Sequence, residues 1–284
     1  MMKKIVITGV STGIGFSTAK ILCNSGYLVY GSVRKEEDAQ NAKEQFGENF
    51  TPLIFDVTDA NAIHKSAELV KNELKPGEIL SGLVNNAGVA MGGPVSLIDT
   101  DVFRQQFEVN FFGLIEVTKT FLPMLGAIKN STFQGKIINI SSVAGRNANP
   151  FVAPYSASKF AVEGFSDALR RELLLYGVDV ILIEPGPIKT AIWDKVPEPE
   201  DNEFMGTDYE PALIKFYKFF IEMGKKGLDA DVIGNRVKDI LQNPSPKTRY
   251  VITPNRFTHF TLPNLLPDRM FDKLIGKNLG LLKK

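Results

Sequence analysis

The chain has 284 residues, 33 Lys and Arg against 32 Asp and Glu, one cysteine and two histidines. One cysteine forms no internal disulfide. A single Cys with two distant His, His64 and His259, builds no zinc cluster and leaves little for a Ser-His-Asp or Cys-His hydrolase. A net charge of +1 gives no basic footprint for nucleic acid, so any acid–base group here is expected to be something other than histidine.

The N-terminus, Met1-Met2-Lys3-Lys4, runs straight into Ile5-Val6-Ile7-Thr8-Gly9. That run is too short for a signal peptide, and no stretch of about 18 apolar residues occurs, so a cytoplasmic protein without a transmembrane segment is expected. Strands are expected over 4–8, 28–33, 51–55, 80–84, 136–140, 179–183 and 249–253. Most are nearly continuous in apolar residues, as strands covered on both faces are. Helices are expected over 13–25, 36–46, 59–74, 99–126, 153–176 and 229–243. The alternation predicts an α/β fold with a doubly wound, seven-stranded parallel sheet and right-handed crossovers. No linker or repeat divides the chain, so a single domain over 1–284 is expected. Residues 187–228 break the rhythm with Pro187, Pro197, Pro199 and Pro211 and the aromatic cluster 216–220. They read as an insertion that forms a pocket loop beyond the strand ends. The tail, 255–284, mixes leucines and phenylalanines with Lys273, Lys277, Lys283 and Lys284. Such a basic amphipathic stretch either packs on its own protein or a partner subunit, or makes peripheral contact with a membrane surface.

The first strand ends in Thr8-Gly9-Val10-Ser11-Thr12-Gly13-Ile14-Gly15, followed by a helix. Glycines there permit a tight turn, let backbone approach a pyrophosphate and bring helix against strand; the helix N-terminus then favours the anion. The loop lacks the G-K-[ST] of an NTPase, which argues against ATP or GTP hydrolysis. Taken alone, a glycine-rich turn is equally a plain structural turn.

Separated segments then agree in order: the glycine loop, Asn85-Asn86-Ala87-Gly88, Asn110, Ser141-Ser142, Tyr155-Ser156-Ala157-Ser158-Lys159, and Pro185-Gly186 with Thr190. Over about residues 3–190 the chain resembles the short-chain dehydrogenase/reductase family in its single-domain Rossmann form. The stretch Tyr30-Gly31-Ser32-Val33-Arg34 and the long tail are similar to the steroid and retinol dehydrogenase branches. The resemblance implies an oxidoreductase acting on CH–OH donors. Hydride would pass between a nicotinamide cofactor and a carbonyl or alcohol, usually in a homodimer or homotetramer.

Tyr155 and Lys159 are four apart and share one helical face. A phenol with an ordinary pKa near 10 is a poor acid at neutral pH, and a nearby ammonium is expected to pull it down. The resemblance implies that Tyr155 transfers the proton and that Lys159 lowers its pKa and bonds the nicotinamide ribose. Ser142 would then hold the substrate oxygen. Ser141 is the competing candidate, less favoured because Ser142 stands at the family's 13-residue spacing from Tyr155. Asn110 would shape a helical kink and continue a proton path, unless it is purely structural. Asp56 and Val57 would meet adenine, the stretch with Asn85, Ala87 and Gly88 would support the sheet core and line the adenine-ribose side, and Pro185, Gly186, Ile188 and Thr190 would close the nicotinamide end.

Strand two ends Ser32-Val33-Arg34-Lys35. Val33 stands where NAD users carry Asp, and Arg34 suits a 2′-phosphate, with Ser11 adding a hydroxyl. The cofactor is therefore expected to be NADP(H); as a bare surface charge, Arg34 would mean nothing. Pocket contributors are mostly apolar, including Met91, Phe151 and Trp193, which suits a small hydrophobic ketone, aldehyde or secondary alcohol, steroid- or retinoid-like among others. Some of these aromatics are equally core or dimer contacts. No metal site is expected. The motif Ser156-Ala157-Ser158-Lys159 fits an acyl-transfer S-x-x-K, but the chain has no S-D-N or K-T-G partner. The remaining alternative is a weakly catalytic, cofactor-binding regulator of the same fold.

Overall fold

A computed structural model describes residues 2–190 and 203–283. In chain order it runs β1 (Lys4–Ile7), α1 (Gly13–Asn24), β2 (Leu28–Val33), α2 (Glu36–Phe46), β3 (Phe50–Ile54) and α3 (Ala60–Glu73). Next come β4 (Gly82–Asn85), α4 (Thr100–Phe107), α5 (Gly113–Phe121), β5 (Lys136–Ile140), α6 (Ala153–Glu172) and β6 (Asp179–Pro185). The C-terminal third holds β7 (Ile188–Lys189), α7 (Glu210–Lys225), β8 (Leu228–Asp229), α8 (Ala230–Gln242), β9 (Arg249–Ile252), α9 (Leu262–Leu265) and α10 (Asp268–Leu279). Seven strands form one sheet in the order β3-β2-β1-β4-β5-β6-β9, all neighbours parallel, as expected. The order reverses between β1 and β4. Loops at that switch point open a crevice beyond the carboxyl ends of the strands.

Period-two alternation divides the core. Ile5, Ile7, Val84, Ile138 and Ile183 face α1, α2 and α8. Val6, Leu83, Ile137 and Val180 face the opposite layer of α3, α5 and α6. Each such side chain, fully buried, contributes about 1.5–3 kcal/mol.

Two features depart from the expected elements, and the tail takes one of its two expected forms. The single helix over 99–126 is α4, a π-helical stretch at Glu108–Phe112, and α5, closed by a 3-10 turn at Leu122–Leu125. The insertion contains a full helix, α7, and β7 pairs with β8 in a small second sheet. The tail packs on its own protein: Leu279 is buried and Ile275 half-buried against α7, while Met270 and Leu274 face solvent. Among the described residues, no helix is long and apolar enough to cross a membrane.

Candidate active site

The glycine loop is held by its neighbour strand. The Asn86 amide donates to the Thr8 and Gly9 carbonyls, each at 2.9 Å, and the Thr8 hydroxyl accepts from the Asn86 and Ala87 amides. Gly13 has φ +62°, left-handed backbone that favours glycine. A Cβ on Gly15 would collide with the Gly9 carbonyl and the Asn86 side chain. The first turn of α1 is uncapped by any side chain, and Ser11 and Thr12 lie exposed beside it with Ile14 half-buried. Thr190 lies against the loop, where a Cβ on Gly13 would stand 3.2 Å from its methyl. The segment Pro185–Thr190 is thereby brought over the glycine turn, with Ile188 buried beneath.

At the end of β2, Val33 is buried and the Arg34 side chain is largely exposed. Its closest carboxylate is Asp56, at 3.9 Å, so the guanidinium is weakly engaged. Asp56 also accepts from Thr58 and Val57 is buried beside it. Gly88 lies near Asn110, and Asn85 takes the sheet-core part of its motif. Its side chain is buried between Thr118 and Asn139, at 2.8 Å from each, and stays inside the α5–α6 layer rather than reaching the cofactor groove.

The chemical groups gather at the carboxyl ends of β5 and β6. Ser142 caps a short turn, its hydroxyl accepting from the Ala144 amide at 3.1 Å and donating to the Pro185 carbonyl at 3.5 Å, and it lies near enough to the Tyr155 phenol to lower its pKa. Lys159 donates to the Ile140 carbonyl at 2.8 Å, and its ammonium lies 5.8 Å from the Tyr155 ring centroid. Ser141 is turned away: Asn139, two residues earlier, bonds Ser166 of α6, and Ser141 points to that same layer. Ser142 is therefore the serine at the phenol.

The expected direction of the Tyr155 shift is overturned. Burial raises its pKa above the usual 10, with only partial relief from the Ser142 hydroxyl. The Lys159 ammonium is committed to a carbonyl and is itself pushed down to about 8 by burial, against the opposing pull of Glu163. Loss of hydration is the largest influence on both groups. At neutral pH the phenol keeps its proton.

Asn110 lies in the π-helical stretch, buried, with its side chain bonded in both directions to the Val89 backbone and to the Ser158 hydroxyl at 3.2 Å. Ser158 in turn donates to the Tyr155 carbonyl. The kink expected at Asn110 is present as this wide turn. Gln106, one turn earlier, bonds the Val89 carbonyl and the Met91 amide, fixing the wall of the crevice. Sequence reasoning missed Gln106; its signal is a polar residue four before Asn110, on the same face. Asn86, inside the Asn85–Gly88 motif, is the side chain that ties the glycine loop to β4.

On the substrate side, Met91 is half-buried at the crevice wall. Phe151 is buried in a third core, edge-on to Tyr209 and Phe216, at φ +65°. Its ring therefore belongs to packing beneath α7, not to the open crevice. Trp193 lies outside the described residues. Neither histidine enters the site: His64 bonds Glu116 and His259 bonds Thr253.

A parallel sheet with a glycine turn at its switch point, and a Ser–Tyr–Lys group beside it, defines a Rossmann-type oxidoreductase domain. The chain matches the short chain dehydrogenase family over residues 3–201 and belongs to it. It is 43% identical, over 98% of both chains, to an NADPH-dependent 3-dehydrocapnine reductase of Ornithobacterium rhinotracheale. Among solved structures it is similar to a short-chain dehydrogenase from Streptomyces avermitilis (TM-score 0.77, 22% identity, covering 100% of this chain and 99% of the other). A second, from Burkholderia cenocepacia in complex with NADP, has a TM-score of 0.71 at 25% identity, covering 98% and 97%.

Proposed function

We propose that this protein reduces a hydrophobic ketone or aldehyde with NADPH, or runs the reverse oxidation of the alcohol, with Tyr155 as general acid or base. The observation that carries this is the gathering of Ser142, Tyr155 and Lys159 at the carboxyl ends of β5 and β6, with the Lys159 ammonium 5.8 Å from the Tyr155 ring centroid. A protonated phenol is the form that donates to a carbonyl oxygen, which favours reduction. The name of the Ornithobacterium relative supports both the direction and the cofactor.

The residues present fit the cofactor. The uncapped first turn of α1 and the crowding at Gly15 leave a backbone cradle for a pyrophosphate, held by Gly9, Thr12, Gly13, Ile14 and Gly15. Arg34, weakly engaged by Asp56, is free to turn to a 2′-phosphate, with Ser11 beside the loop. Asp56 and Val57 bound the adenine, Ala87 and Gly88 its ribose, and Pro185, Gly186, Ile188 and Thr190 the nicotinamide end. When bound, the nicotinamide supplies or accepts the hydride. Ser142 positions the substrate oxygen, and Lys159 holds the ribose hydroxyls and returns the proton to Tyr155. Asn110 and Gln106 keep the crevice wall in register with α6. The apolar substrate class rests on the few charges in the segments 89–94 and 143–152.

NADPH absorbance against a panel of hydrophobic carbonyls tests the reading. Turnover is expected with NADPH and far less with NADH. Tight NADPH binding without turnover across the panel would favour a cofactor-binding regulator instead.

A further inference from the structure

Behind Lys159 lies a group of buried charges that this reaction scheme leaves unused. Glu163 follows Lys159 by one turn of α6, so the two share a face. Glu184 sits on β6, fully buried, in a strand whose neighbours Val180, Ile181, Leu182 and Ile183 are apolar. Leu182 packs on Val162 of α6, and Glu184, two residues on, points to the same side. Arg249, the first residue of β9, bridges the carboxylates. Its Nε is 3.1 Å from Glu163 and 3.3 Å from Glu184, and a terminal nitrogen is 2.9 Å from Asp167. Arg170 bonds the same Asp167. A Cβ on Gly145 would stand 3.0 Å from the Ser141 hydroxyl, 3.1 Å from the Lys159 carbonyl and 3.2 Å from Cγ of Glu163, so that glycine lets all three approach. One oxygen of Glu163 and both of Glu184 lack a hydrogen-bond donor.

We propose that Glu163, backed by Glu184 through Arg249, is a positioning residue whose carboxylate keeps the buried Lys159 ammonium charged. The proposal rests on the function assigned above to Lys159. An ammonium taken out of water discharges unless a negative charge faces it. Lys159 is held at about 8, burial lowering it and Glu163 raising it. Glu184 is held near 7, raised by burial and by Glu163 and restrained by Arg146, Arg249 and Arg256. As the pH rises through neutrality, Glu184 ionises and adds negative charge to the side of the sheet that Lys159 occupies. That added charge opposes loss of the ammonium where the reaction needs it.

Two readouts test this. The first is the titration of Lys159 in the apoprotein by NMR of carbon-13-labelled lysine, its resonance identified with Lys159→Met. The second is the alkaline limb of kcat/KM. Glu163→Gln should move both towards neutrality by about one unit. At about pH 8 the charged fraction then falls from one half to about a tenth, roughly a fivefold greater loss than at pH 6. Glu163→Asp should restore most of the shift, and Glu184→Gln should move both readouts less, in the same direction. Equal loss at every pH with an unmoved lysine titration would make Glu163 merely structural and overturn the proposal. Should Glu163→Gln fail to fold, Glu184→Gln decides, and an unmoved lysine there overturns it too. A wild-type protein that turns over no carbonyl breaks the proposed function instead, and the apoprotein titration still decides the role of Glu163.

Discussion

The two faces of the sheet divide the work. The face under α1, α2 and α8 is filled by Ile, Val and Phe from strand after strand, and contributes to the site only through the loop at its upper rim. The opposite face is apolar at its lower end. Towards the carboxyl ends it becomes polar, with Asn85, Asn139, Ser141, Lys159, Glu163 and Glu184 all buried. The difference teaches that anion binding needs only backbone and shape, whereas proton transfer needs side chains withdrawn from water. Buried polar groups survive there because most are mutually bonded, as in the chain Thr118–Asn85–Asn139–Ser166.

The comparison breaks most readily at the polar face. Tyr155→Phe removes the transferable proton and should lower kcat by about 10²–10⁴, measured as NADPH oxidation, with the fold intact by circular dichroism. Retained turnover would remove Tyr155 from the chemistry. On the other side, Gly15→Ala forces a methyl into the Gly9 carbonyl and Asn86 amide. It should abolish measurable NADPH binding in a fluorescence titration and destabilise the fold by roughly 1–3 kcal/mol. A variant that binds NADPH normally would show that the cradle lies elsewhere.

Arg34→Ala probes charge rather than shape. The lost charge-assisted bond, about 1.5–3 kcal/mol, should raise KM for NADPH roughly tenfold or more while KM for NADH barely moves. Equal changes for both would deny Arg34 the 2′-phosphate. The smallest effect is on stability. The Glu184 carboxyl is raised from 4.5 to about 7 in the folded protein, chiefly by burial. The folded state then holds that proton more tightly than the unfolded chain. Its stabilisation is complete below about pH 4.5 and is lost as the pH rises through about 7. The wild-type Tm should therefore fall more between about pH 5 and pH 8 than that of Glu184→Gln, and parallel curves would place Glu184 outside the buried network.

Period and punctuation carried most of the fold. The seven sheet strands and α1, α2, α3, α6 and α8 lie within a few residues of their expected positions, because continuous apolar runs and amphipathic stripes are local signals. The insertion was harder. Its prolines and aromatics suggested loop, yet Pro211 sits at the start of α7, where a missing amide costs nothing. The site motifs were likewise readable as residues, since each occupies a short stretch at a strand end or on one helix.

What those residues do to one another was decided only by tertiary structure. Spacing put Lys159 one turn from Tyr155, but only the folded site shows that dehydration raises the phenol. The alternation of β5 and β6 separated Ser142 from Ser141, and only the pairing of distant strands brought Arg249 onto Glu163 and Glu184. Residue type and periodicity are local and survive in the sequence. Burial and charge coupling are sums over neighbours from the whole chain, and they exist only once it has folded.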